Sequence, residues 1–267
     1  MDTHNSSIIL IPHFNDPEGL YVSLSSIDSS EQIDCVVVDD GSQVLFSEEQ
    51  AKTAFRVNGT LSFIYLEENR GITVALNTGL KFILEKGYQF IARLDCNDIV
   101  LGKRFKIQED FLKFNPSISL IGTFTTFVDT KGKKLFNLSL PTSHKKIEKK
   151  IYVQATFIHP SIMFTSKIIE ENGLYPDEYT AAEDYALFFK TIKKYQTANI
   201  PDFLMQCEIN PKGISGLKRR EQIQSKIRLI QHHFYWEFWP IYGLIRSSVA
   251  FYIPRNTLNF LKKFISP

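Results

Sequence analysis

Asp34-Cys-Val-Val-Val-Asp39-Asp40-Gly41-Ser42 decides the fold. Four apolar, mostly β-branched residues run without polar alternation and stop at an acidic pair and a Gly-Ser turn. Such a run reads as a strand covered on both faces, the kind found in parallel sheets. Upstream, Ser7-Ile-Ile-Leu-Ile11 is a second apolar run, ended by Pro12. Asp16-Pro17 then opens a helix, with Asp as N-cap and Pro at the first helical position. Downstream, Ser47 to about Phe55 reads as helix and Leu61 to Leu66 as strand. Ile72, Ala75, Leu76, Leu80, Ile83 and Leu84 repeat at helical spacing up to Gly87, and Gln89 to Leu94 is a further strand that stops at Asp95. Strands alternating with helices predict βαβ units, a mostly parallel sheet and helices on both faces. Ligands of such sheets sit beyond the carboxyl ends of the strands. That edge collects His13-Phe14-Asn15, Asp39-Asp40 and Asp95-Cys96-Asn97-Asp98.

The middle of the chain has another texture. Leu101 to Phe114 reads as helix, Ile118 to Val128 and Lys134 to Leu138 as strands around a Lys131-Gly132 turn. Ser143 to Gln154 reads as a basic helix, Pro160 to Phe164 as strand and Ala182 to Tyr195 as helix. After Asn210-Pro211, Ile223, Ile227, Ile230 and Phe234 keep helical spacing, and an aromatic run, Phe234-Tyr-Trp-Glu-Phe-Trp239, follows. The expected division is a body over residues 1–210 and a helical extension over 211–267.

Composition narrows the class. Of 267 residues, 43% are hydrophobic and 22% charged, so the chain is globular rather than disordered. Three well-separated cysteines without a CxxC pair disfavour a disulfide scaffold or a zinc site and suit a reducing compartment. The start, Met1-Asp-Thr-His, carries no secretory pattern, so a cytoplasmic location is expected. The net charge of +2 hides an asymmetry: residues 209–267 hold ten Lys/Arg against Glu221 and Glu237 alone. A basic tail suggests an anionic partner. The apolar stretch from Phe238 to Ile253 is short and contains Arg246, whereas a span needs ~20 apolar residues. Aromatics with Arg246, Arg255, Lys262 and Lys263 better fit a helix lying in the headgroup layer at the inner membrane face, although a dimer interface or ordinary core would use the same residues. No nucleic-acid module is recognisable in the tail.

The chemistry is carried by carboxylates. Hard oxygen ligands with few His or Cys point to Mg²⁺ or Mn²⁺, which commonly bridge carboxylates and substrate phosphates. Neither GxGxxG nor GxxxxGK[ST] occurs, so a dinucleotide fold and a P-loop are disfavoured. Taken singly, Asp39-Asp40 could be a capped turn, Asn69-Arg70-Gly71 a helix entry, and Asn77 and Gly79 helix packing. Lys145, Lys146, Lys149 and Lys150 read as a solvated helix face.

Taken in order, Ile11-Pro12-His13-Phe14-Asn15, Val38-Asp39-Asp40-Gly41-Ser42, Glu68-Asn69-Arg70-Gly71, Ala75-Leu76-Asn77-Thr78-Gly79 and Ala92-Arg93-Leu94-Asp95-Cys96-Asn97-Asp98 resemble family 2 glycosyltransferases. Arg104 with Gln108, His159-Pro160-Ser161-Ile162-Met163 and Ala182-Glu183-Asp184-Tyr185 continue the resemblance, which covers residues 6–217. It implies the GT-A fold, a three-layer α/β/α sandwich, and inverting transfer of one sugar from a nucleotide-diphosphate donor, most often a UDP-sugar, to a saccharide or lipid-linked hydroxyl in surface-polysaccharide or lipooligosaccharide synthesis. It implies that Pro12, Phe14, Asn15, Asp40, Asn69, Gly71, Arg93 and Asp95 bind the nucleotide sugar, with Asp40 on the base. Asp95 and Asn97 would hold Mn²⁺ or Mg²⁺, Asp184 would be the general base, and Asp98, His159 and Glu183 would serve the acceptor or support the site. The family pattern is Asp-x-Asp-Asp, and Asn97 departs from it, keeping a carbonyl oxygen but no charge. The Gln-x-x-Arg-Trp signature of processive synthases is absent. Two other readings compete: a sugar nucleotidyltransferase, which lacks its Gly-rich loop here, and an inactive nucleotide-sugar-binding subunit, for which Asn97 is the motive.

Overall fold

The computed structural model describes residues 5–179, 181–210 and 218–252. Among them nine strands form one sheet: β1 (Ser7–His13), β2 (Asp34–Asp39), β3 (Leu61–Tyr65), β4 (Phe90–Arg93), β5 (Ile99–Val100), β6 (Ile118–Val128), β7 (Lys134–Leu138), β8 (Met163–Thr165) and β9 (Gln196–Glu208). Their spatial order is β3-β2-β1-β4-β8-β6-β9-β5, with β7 paired on β6. The half containing β3, β2, β1 and β4 is parallel. Beyond it β8 runs antiparallel to both neighbours, β6 and β9 are parallel, and β5 closes the edge antiparallel.

Helices cover both faces. They are α1 (Pro17–Ser25), α2 (Glu48–Ala54), α3 (Ile72–Lys86), α4 (Arg104–Phe114), α5 (His144–Lys150), α6 (Lys167–Asn172), α7 (Glu183–Lys194), α8 (Arg219–His232) and α9 (Phe238–Tyr252). Strand alternation sends Ile8, Leu10, Val36 and Val38 into one core, against Leu80 and Ile83 of α3 and Phe188 and Phe189 of α7. Ile9, Ile11, Cys35 and Val37 enter the other, against Leu20 and Leu24 of α1 and Phe105 of α4. Both faces are apolar because both are covered, which explains the unbroken apolar runs. This is the three-layer GT-A architecture that the resemblance implied.

Three elements differ from the sequence reading. Pro160, which has no backbone N–H, starts a short 3-10 turn at His159–Ser161 rather than a strand, and pairing begins only at Met163. Helix α4 starts at Arg104 because Gly102 takes a left-handed φ of 59°. The longest strand, β9, was not read at all. Pro201 and Asp202 interrupt its pattern, and pairing with β6 jumps from Thr123–Ile200 to Phe124–Phe203, so that pair is accommodated as a bulge.

The described part of the C-terminal extension packs on the body. Leu229 and Ile230 of α8 join the α3/α7 core, with Tyr235, Trp239 and Leu244 against it. Lys226 of α8 and Arg246 of α9 both donate to the Val153 carbonyl. No helix among the described residues is long and apolar enough to cross a membrane. Pro240, Gly243 and Ser247 are the buried face of α9, and a Cβ on Gly243 would strike the Tyr152 carbonyl oxygen. Gly243→Ala should therefore lower stability by about 1–3 kcal/mol in thermal unfolding, against a helix-propensity gain of about 1 kcal/mol. A rise in melting temperature would mean that α9 does not seat on this carbonyl.

Candidate active site

Strand β1 lies at the switch point of the sheet: the chain proceeds to β2 and β3 on one side and to β4 on the other. In open α/β sheets the crevice at such a point takes the ligand. Its first wall is the loop after β1. In-register pairing sets His13 opposite Asp39, and their buried side chains bond at 2.6 Å through Nδ1. Nε2 of His13 accepts the Asp16 N–H at 3.2 Å, so the proton of a neutral ring sits on Nδ1 and is donated to Asp39. Asn15, at φ 53°, takes Gln43 N–H and Val44 N–H on Oδ1 at 2.8 and 2.9 Å. Its side chain ties the loops after β1 and β2 together. Phe14 is left 47% exposed beside half-buried Pro12, an open apolar surface at the crevice mouth.

Asp40 is buried, and its carboxylate accepts Asn69 Nδ2–H at 3.0 Å, Arg70 N–H at 2.9 Å and Gly71 N–H at 2.8 Å. Asn69 and Gly71, expected as nucleotide ligands, are thus Asp40's partners, and the trio fixes the entry to α3. Gly71 holds φ 90°, which a side chain would oppose. A carboxylate offers about four acceptor positions, so one stays open on Asp40.

The opposite wall is the turn after β4. Arg93 is fully buried and its guanidinium donates to the Leu10 and Leu94 carbonyls and to Asp95 Oδ1, the last at 2.5 Å. Arg93 holds Asp95, whose side chain remains about one-third exposed. Asn97 takes φ 69° and donates Nδ2–H to Asp16, and its N–H bonds the Gly19 carbonyl, so the β1 and β4 loops are joined. Asp98 points away from the crevice. It is buried under β9, accepts Glu208 N–H at 3.0 Å, and has its carboxyl pushed well up by burial and by Asp95. Of the two roles expected for Asp98, serving the acceptor or supporting the site, this burial favours the second.

Asp184 sits in the first turn of α7, half-buried. Burial, then the charges of Glu183 and Asp95, raise its carboxyl to about 7, against the opposing bond from Tyr185 N–H. Glu183 is buried and raised for the same leading reason, with Asp95 again contributing. The Asp95 charge is felt by both residues of the pair, which brings the β4 turn and the α7 terminus within electrostatic reach of each other.

Between them lies a connection that the sequence did not reveal. Tyr175 donates its hydroxyl to His159 Nε2 at 2.8 Å, and Arg93 Nε–H approaches the same nitrogen at 3.4 Å. Two donors on Nε2 leave the ring proton on Nδ1, and burial with Arg93 nearby pushes the imidazole well below its usual range. Asn77 clamps both backbone groups of Tyr175 at 2.9 Å. Asn77, which the sequence allowed as helix packing, thus clamps the loop before α7, and Tyr175, a lone aromatic in an unpatterned loop, carried no sequence signal. Arg228 of α8 donates to the Glu178 carbonyl and lies over Tyr179, steadying the segment that leads to α7.

No three His, Cys, Asp or Glu side chains gather as a metal cluster among the described residues. Mg²⁺ and Mn²⁺ are commonly held by one or two carboxylates plus substrate phosphates. The partly open Asp95 carboxylate and the amide of Asn97 two residues on offer the hard oxygen donors of such a site, and Cys96 between them turns its thiol to the Pro12 carbonyl.

Comparison with known proteins agrees with this architecture. The family model described as glycosyl transferase family 2 matches residues 8–173. An amylovoran biosynthesis glycosyltransferase, AmsE of Erwinia amylovora, is 28% identical, with 83% of each chain covered. The O-antigen biosynthesis glycosyltransferase WbnJ of Escherichia coli is 25% identical over 76% of this chain and 78% of that protein. Among solved structures, S. aureus TarS 1-349 in complex with UDP-GlcNAc superposes with TM-score 0.69 at 15% identity, over 92% of this chain and 73% of that one. The mannosyltransferase PcManGT of Pyrobaculum calidifontis, in complex with GDP-Man and Mn²⁺, gives 0.61 at 14% identity, over 98% and 80%. Motif order, sheet topology and family match converge: the chain belongs to glycosyl transferase family 2 and is a glycosyltransferase of GT-A fold.

Proposed function

We propose that this glycosyltransferase is inverting and non-processive. It moves one sugar from a UDP-sugar to a hydroxyl of a saccharide or lipid-linked acceptor in surface-glycan synthesis, in the cytoplasm at the inner membrane face. The observation that carries this reading is Asp184, a carboxylate in the first turn of α7 raised to about 7 by burial, Glu183 and Asp95. A general base works best with a pKa near the working pH, where it is both deprotonated and basic. Asp184 takes the proton of the acceptor hydroxyl as that oxygen attacks the anomeric carbon. Attack and departure lie on opposite faces in a single displacement, which inverts the centre. Phe14 and Pro12 offer the nucleoside an apolar face, and the open position on Asp40 serves the base. Asp95 and Asn97 would hold Mn²⁺ or Mg²⁺, which supplies neutralisation of the charge that grows on the departing diphosphate. The relatives named for amylovoran and O-antigen biosynthesis support a surface glycan, and the neighbour holding UDP-GlcNAc supports a UDP-sugar.

Incubation with a panel of nucleotide sugars and Mn²⁺ should release UDP from one donor, and NMR of the product should give the opposite anomer to the donor. No turnover of any donor, or a retained anomer, would overturn the reading. The pH profile is a second check. The base must be ionised, so kcat/KM should rise with pH about tenfold per unit below about 7 and level off above it. A profile flat between about pH 5 and 8 would remove Asp184 from the base role.

A further inference from the structure

Helix α9 is amphipathic in an unusual direction. Its small residues, Pro240, Gly243 and Ser247, face the protein with Trp239 and Leu244 beside them, and five large apolar ones face out. Phe238, Tyr242, Ile245, Val249 and Tyr252 are between 42% and 81% exposed. At 3.6 residues per turn these five positions form one continuous stripe, roughly 20 Å long, opposite the buried face. Trp236, in the turn just before the helix, is 87% exposed and extends it. An apolar patch of this extent on a soluble protein marks an interaction surface. The stripe is held firmly: Lys226 and Arg246 both grip the Val153 carbonyl, and Tyr152 donates its hydroxyl to the His233 carbonyl between α8 and α9.

Charge identifies the occupant. No Asp or Glu follows Glu237, and Arg246, Arg255, Lys262 and Lys263 do. Lys150 lies over the Trp239 indole at 4.8 Å, which brings α5, with Lys145, Lys146 and Lys149, to the edge of the stripe. Glu148 and Glu237 are the acids on these elements, two against five cations on α5 and α9. Aromatic side chains in a basic rim are the composition of a helix lying in the interface of an anionic bilayer. The fifteen described residues of α9 are too few to span one.

We propose that the Phe238–Tyr252 stripe, with Trp236, seats the enzyme on an anionic lipid surface, α9 lying in the plane of the headgroups. This rests on the reading of the chain as an enzyme acting on membrane-linked acceptors and names the surface that makes the contact. Sedimentation with vesicles tests it on the full chain. Phosphatidylcholine vesicles containing phosphatidylglycerol should bind at least about tenfold more tightly than phosphatidylcholine alone, and salt should narrow the gap. Ile245→Glu with Val249→Glu should weaken binding at least about tenfold and leave the melting temperature and UDP release from soluble donor unchanged. Undiminished vesicle binding by the double variant would overturn the proposal. So would a fall of several degrees in its melting temperature, which would mean that the stripe is packed within the protein rather than open. A wild-type dimer on sizing that the variant converts to monomer would assign the surface to a second copy instead. Absence of donor turnover in both proteins would count against the glycosyltransferase reading, and vesicle binding would still be scored separately.

Discussion

Asp184→Asn is expected to lower kcat by about 10²–10⁴-fold while leaving UDP affinity within about threefold of wild type. The amide keeps the shape of the carboxylate and its place in the first turn of α7, but it cannot take a proton. The same change should make the protein more stable. The Asp184 carboxyl is lifted from 3.8 to about 7, chiefly by burial and by Glu183. Between about pH 4 and 7 the unfolded chain releases this proton and the folded chain keeps it. The unfolded chain then binds fewer protons, so stability falls as pH rises through that window, and above about 7 the full cost remains. Each unit is about 1.4 kcal/mol; discounted for the solvent that reaches a half-buried group, the cost is about 1–3 kcal/mol. Asn abolishes it. Thermal unfolding should place the variant several degrees above wild type at pH 8 and level with it near pH 4. An inactive variant with no such gap would mean that Asp184 is not held against its own ionisation. A variant retaining full transfer would mean that the base lies elsewhere.

The motif order announced Asp184, but not the burial that raises its carboxyl. The apolar runs at Ile8–Ile11 and Cys35–Val38 made the parallel half of the sheet legible, because covering on both faces leaves no polar alternation. The motif order then gave the loops at their ends. It could not give the direction in which each polar group points. Asn15, Asn69, Arg93 and Asp98 all lie at the expected strand ends, and each side chain bonds another segment of the fold there. A motif position records that a residue is needed at a place, and a buried hydrogen-bonded residue meets that need as well as a ligand contact does. Long-range partners escaped for a different reason. Tyr175 meets Asn77 across 98 positions and His159 across 16, and neither separation has a local period to betray it. Strand β9 escaped because its bulge at Pro201–Asp202 breaks the pattern on which strand reading depends.

Asp95→Asn should separate the two services that Asp95 performs. The amide oxygen can still accept the Arg93 Nη2 hydrogen bond that the carboxylate accepts at 2.5 Å. Arg93 keeps its carbonyl partners, so the cost of stranding a buried charge, about 3–5 kcal/mol when a partner is removed outright, is mostly avoided. Folding should survive. Activity should not: losing the charged ligand and the electrostatic support of the diphosphate should reduce kcat by about 10²–10³-fold, and Mn²⁺ should saturate the residual activity only at higher concentration. The second service is remote. The Asp95 charge is one of the causes that lift Asp184, so its removal should lower the Asp184 pKa. The residual activity should then rise at a lower pH than in wild type, with the midpoint moving toward the acid side of 7. A loss of rate with unchanged Mn²⁺ dependence would count against Asp95 as the metal carboxylate. An unmoved midpoint would mean that the two carboxylates do not share one electrostatic space, and the single-displacement geometry requires that they do, since the base and the leaving diphosphate must flank the same carbon.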